Sequence, residues 1–100
     1  MLKMIPIVDF KKEVHSWAEE IGVKPKEIHV RYMRHKWASC SSRGRLTFSF
    51  DLLNKAKPQR SKAIVHELLH LRYPEHNKMF NSLLGAYLNK KGTNVSAVIL

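Results

Sequence analysis

The apolar positions change period along the chain, and each change marks an element. Phe10, Val14, Trp17, Ala18 and Ile21 recur at helical spacing, which predicts a first helix with Asp9 as N-cap and Gly22 just past its end. Lys24-Pro25-Lys26 reads as a turn. The period then falls to two. Ile28, Val30 and Tyr32 alternate with His29, Arg31 and Met33, and Leu46, Phe48 and Phe50 alternate with Thr47 and Ser49. Each run predicts a strand with one face on a core. Between them, Arg34 to Gly44 is polar, serine-rich and too long for a tight hairpin turn, so it reads as a loop.

The helical period returns after Pro58, a residue suited to a first helical turn. Ala63, Ile64, Val65, Leu68, Leu69 and Leu71 make this second helix apolar around most of its circumference, so it is expected to be buried. Pro74 should stop it near Tyr73. A third helix follows from Asn77, with Met79, Phe80, Leu83, Leu84, Tyr87 and Leu88 on one face and Lys90, Lys91 and Gly92 at its end. These stripes predict one α+β domain over residues 1–92: an N-terminal helix, a small twisted and mainly antiparallel sheet, then two helices. Residues 93–100 form a tail whose Val95, Val98, Ile99 and Leu100 are β-prone and apolar.

The second helix carries more than a packing stripe. His66 and His70 lie four apart and so share a face, where two imidazoles can point at one metal ion. A catalytic zinc takes three protein ligands and keeps a fourth position for water. The third donor must lie past the break at Pro74, where His76 and Glu75 both qualify. Glu67 flanks the histidine pair and is poorly placed as a ligand, which suits a base that deprotonates the activated water. Three ionisable groups on an apolar helix need such compensation. The bland alternative is a hydrogen-bonded histidine pair with Glu67 in a salt bridge.

Composition narrows the setting. The chain has 100 residues, a hydrophobic fraction of 44% and a charged fraction of 26%, values of an ordinary globular domain with a modest core. Its single cysteine, Cys40, cannot form an internal disulfide, and no apolar run approaches a membrane span. A cytoplasmic protein without a membrane partner is therefore expected. The net charge is +10, spread over the chain. The densest group, Arg31, Arg34, Lys36, Arg43 and Arg45 with Tyr32 and Trp37, is the best candidate for a nucleic-acid patch, against the plainer role of solvated strand and loop faces. No nucleic-acid residue is assigned from charge alone. His15 lacks a companion donor at ligand spacing and reads as structural, and His29 and His35, each alone, read as surface residues rather than ligands.

Two separated motifs, Trp37-Ala38-Ser39-Cys40-Ser41-Ser42-Arg43-Gly44 and His66-Glu67-Leu68-Leu69-His70-Leu71-Arg72 with His76 and Phe80, resemble the minigluzincins. These are small single-domain zinc peptidases related to predicted metal-dependent hydrolases with the same tryptophan-to-serine loop. The resemblance implies a zinc helix, a C-terminal helix that follows it, and His76 as the third ligand. It also implies latency imposed by a C-terminal segment, which agrees with the apolar tail. Metzincins share the six-residue step from His70 to His76, but their pattern asks for glycine where this chain has Tyr73. SprT-like proteases that act near DNA would make more use of the charge.

The chemistry so implied is peptide hydrolysis with one zinc ion on His66, His70 and His76 and Glu67 as general base. The strand from Arg45 to Phe50, if it forms the edge above the metal helix, would hold an extended peptide through Leu46, Thr47 and Phe48, and the tail could fill that groove. Tyr73 and Tyr32 are the candidate oxyanion donors, with Arg72 or a loop residue behind them, and Asn77 either orients a ligand or, more simply, caps the third helix. A monomer or a tail-swapped or helix-swapped dimer fits equally. The competing class is a basic zinc-containing module that binds nucleic acid or protein without turnover. Such a site should be closed by four ligands, usually including cysteine, and leaves Glu67 without a purpose.

Overall fold

The computed structural model describes residues 4–90. The order of elements is α1 (Ile7–Ile21), β1 (Glu27–Arg31), β2 (Ala38–Cys40), β3 (Arg45–Ser49), a short 3-10 turn (Phe50–Asn54), α2 (Lys57–His70) and α3 (Lys78–Lys90). This is the expected α+β arrangement. The expected tail at residues 93–100 lies outside the described residues.

The first helix buries the predicted stripe of Phe10, Val14, Trp17, Ala18 and Ile21, and Gly22 closes it at φ 83°, a left-handed conformation that glycine adopts without a Cβ penalty. Its start differs from expectation. Pro6 occupies the N-cap with no side-chain cap, so Asp9 falls inside the first turn and complements the positive helix end instead of capping it. Proline sets φ near the helical value, which lets the helix begin ahead of the first buried residue.

The sheet is mixed, with strand order β1-β3-β2. β3 pairs parallel with β1, from Glu27 opposite Arg45 to Arg31 opposite Ser49, and antiparallel with β2, from Ala38 opposite Phe48 to Cys40 opposite Leu46. The extra strand, β2, lies inside the segment expected to be a loop. It reverses the chain once more, so β1 and β3 run the same way rather than antiparallel.

Leu46 and Phe48 are fully buried, and Phe48 meets Phe10 of α1 edge to face at 5.1 Å. Tyr32 lies beyond β1 and is exposed, and Phe50 has left the strand for the 3-10 turn. Leu52 and Leu53 of that turn join Ile64, Val65, Leu68 and Leu69 of α2 and Phe80, Leu84 and Leu88 of α3 in one core. Met79, expected on the buried face of α3, is exposed.

Two polar ties lock the helices. Arg60 of α2 donates from both Nε and a terminal nitrogen to the Glu13 carboxylate on α1, at 3.0 and 2.8 Å, and also to the Lys55 carbonyl at 2.7 Å. Arg72 donates to the Gly22 carbonyl at 2.7 Å and so neutralises the negative end of α1. Among the described residues no helix is long and apolar enough to cross a membrane.

Candidate active site

α2 packs along β2 on one side and against α3 on the other, and the site opens between these neighbours. His66 and His70 project from successive turns of α2. The chain then turns away as expected: Leu71, Arg72 and Tyr73 still donate to Leu68 or Leu69 carbonyls, and Pro74 ends the ladder. The turn returns His76 to the pair. Asn77 accepts the Phe80 N–H at 2.9 Å through its side chain and caps α3, which anchors the segment that carries His76.

One imidazole nitrogen from each of His66, His70 and His76 lies within 4.8 Å of the other two. Among the described residues this is the only group of three or more potential ligands that converges; Glu75 and Cys40 are outside it. His70 Nδ1 donates to the Tyr73 carbonyl at 3.2 Å, which leaves Nε2 as the lone-pair nitrogen, 2.6 Å from His76 Nε2. Two ring nitrogens this close must share a proton or a cation. Burial first, and His66 second, hold the His70 imidazole below its ordinary value, so it is neutral at pH 7 and able to ligate. The Phe80 ring floors the cluster, with its centroid 5.3, 4.8 and 4.9 Å from those of His66, His70 and His76. The donor set fits one zinc ion, with three nitrogens supplied and no fourth converging donor among the described residues.

Glu67 is buried and borders the cluster. Its Oε2 lies 3.0 Å from His66 Nδ1, and the carboxylate lines the clefts on either side of it. Cys40 reaches the same cleft, but burial first and the Glu67 charge second push its thiol up from its ordinary value. A protonated thiol is a poor ligand, and Sγ donates instead to the Ser41 carbonyl at 3.5 Å.

The model of one protein family, described as YgjP-like, metallopeptidase domain, matches residues 7–93. The chain belongs to the YgjP-like metallopeptidase family. A search of curated proteins returned no match. The match spans both the tryptophan-to-serine segment and the histidine helix, so the YgjP-like domain accounts for β2 as well as for the metal site.

The substrate strand is the one to correct. β3 is central and hydrogen-bonded on both edges, Leu46 and Phe48 are in the core, and Thr47 is on the other face. These residues therefore cannot offer a free edge. Among the described residues, the unpaired edge beside the metal helix belongs to β2. Trp37 accepts from Ser49 N–H and Ser41 donates to Arg45, so odd-numbered residues face β3 and the N–H and C=O groups of Ala38 and Cys40 point outward. Tyr73 contributes its carbonyl to His70, while its ring packs partly buried against the core. Tyr32 lies outside the strand, and Arg72 is committed to α1.

Proposed function

We propose that this YgjP-like domain is an endopeptidase of the minigluzincin kind that takes its substrate as an added strand on β2. The observation that carries this reading is the edge of Ala38 and Cys40, unpaired among the described residues, beside Glu67 and the three converging histidines. His66, His70 and His76 would hold the zinc, which when bound supplies a Lewis acid that polarises the scissile carbonyl and acidifies water. Glu67 takes the proton of the attacking water and returns it to the leaving amine. The Tyr73 carbonyl keeps the His70 tautomer, and the Phe80 ring keeps water from beneath the imidazoles. Outward amides at Ala38 and Cys40 align the peptide so that its carbonyl meets the cluster.

We further propose that the apolar segment 93–100 occupies the β2 edge as an inhibitory strand. Cleavage of an unfolded protein should be compared between the zinc-loaded full chain and a chain ending at Lys91. The account expects cleavage by the shorter form, slower cleavage by the longer, abolition by a chelator and recovery with zinc. Equal rates would remove the inhibitory tail. No cleavage by either form, with one zinc bound per chain, would remove the peptidase.

A further inference from the structure

An exposed indole stands beside the catalytic cleft, at the start of β2. Trp37 is 45% exposed, yet its position is fixed from two sides. Its carbonyl accepts the Ser49 N–H at 2.8 Å, which pins the backbone to the end of β3, and the Lys55 ammonium lies 5.0 Å from the ring centroid. Lys55 is held in turn: its N–H donates to the Leu52 carbonyl at 3.0 Å, and its own carbonyl accepts from Arg60 at 2.7 Å. The ring is therefore set in place while much of its surface stays open to an incoming group.

Trp37 walls a pocket on the helix side of the sheet, against Ala38 of β2 and Lys62, Ala63, His66 and Glu67 of α2. Ala38, His66 and Glu67 also line the cleft that reaches His70 and His76, so pocket and cleft adjoin along α2. The register agrees. Ala38 sits opposite the buried Phe48 and packs against the same core, which turns its side chain toward α2. Ala63 and Lys62 stand one helical turn, about 5.4 Å, before Glu67 and His66. A peptide strand on the outer edge of β2 sends alternate side chains toward α2. One that enters beside Ala38 belongs to a residue bordering the bond that Glu67 and the histidines face.

We propose that Trp37, Ala38 and Ala63 form a specificity pocket for an aromatic side chain on a residue bordering the scissile bond of the peptide substrate. The two alanines leave the depth, and Trp37 supplies the aromatic wall against which a second ring packs edge to face or offset. Lys55 is not in the lining, so the pocket meets the part of the indole that Lys55 leaves open. Charge selects in the same direction. A basic side chain would face Lys62 and an acidic one would face Glu67, so a neutral apolar ring is the occupant that neither end repels.

This inference rests on the peptidase reading, so its test is separate from turnover. Short labelled peptides of alanine, glycine and serine, differing only in a central phenylalanine, alanine or lysine, are bound to the zinc-loaded full chain carrying Glu67→Gln and read by fluorescence anisotropy. The phenylalanine peptide should bind about tenfold more tightly than the alanine one. Adding Ala63→Leu, which fills the pocket, should bring that ratio to about one while the alanine peptide binds as before, and Trp37→Ala should lower the ratio as well. Lys62→Glu should instead tighten the lysine peptide about fivefold, a gain that misfolding cannot mimic. Equal affinities for the phenylalanine and alanine peptides, a preference that survives both Ala63→Leu and Trp37→Ala, a lysine peptide indifferent to Lys62→Glu, or binding to none overturns the pocket. Absence of cleavage by the parent chain with these ratios intact would instead count against the peptidase and leave the pocket standing.

Discussion

On one face of α2, Ile64, Val65, Leu68 and Leu69 are fully buried in the common core; on the other, His66, Glu67 and His70 carry polar groups into a cleft. The first face holds the helix still, and the second depends on that stillness, because ligand nitrogens must converge to within a fraction of an ångström. The chemical face costs stability, since a largely buried glutamate and half-buried histidines replace apolar packing. Phe80 belongs to both faces, being fully buried and in ring contact with all three histidines.

Removing a ligand should have the largest effect. His70→Ala should weaken zinc binding about a thousandfold, while the metal-free chain keeps its urea midpoint, read by a competing zinc chelator beside denaturation. Leu68→Ala should do the converse and lower stability by about 2–5 kcal/mol while zinc affinity in the folded chain is retained. Phe80→Ala should fail on both counts, with about 3–5 kcal/mol lost in unfolding and a measurable fall in zinc affinity. If it altered only stability, the ring would not position the imidazoles.

Smaller effects sharpen the boundary. Arg60→Met breaks the partly buried pair with Glu13 and should cost about 2 kcal/mol, with zinc affinity unchanged. The smallest effect is at Glu27 of β1. Hydrogen bonds from His29 first and Arg45 second hold the Glu27 carboxyl below its ordinary value of 4.5. A folded value below the unfolded one adds stability that is present above the unfolded value and lost as pH falls through the folded one. The wild-type chain should therefore lose slightly more stability than Glu27→Gln between about pH 6 and pH 3 in denaturant titrations.

The metal site was legible because its grammar is local. His66 and His70 announce themselves by spacing, Glu67 by adjacency, and the break before His76 by Pro74. Asn77 was legible as a cap for the same reason. β2 was not. Ala38-Ser39-Cys40 has no alternation of its own and sits among serines; pairing with Leu46 to Phe48 and packing on α2 make it a strand. Missing it put the expected free edge on β3, which is central. The Arg60–Glu13 pair was equally silent, since nothing in the local pattern joins residues 47 apart. Pro6 displaced Asp9 as the cap because one residue of proline geometry outweighed a good capping side chain.

The most direct test sets Glu67→Gln beside the wild type in a chain that lacks residues 92–100, with zinc content and cleavage of an unfolded protein measured on the same samples. The account predicts one zinc per chain in both and a fall in kcat of about a hundredfold to ten-thousandfold in the variant. Undiminished cleavage by the variant, or wild-type chains that bind no zinc, would contradict it.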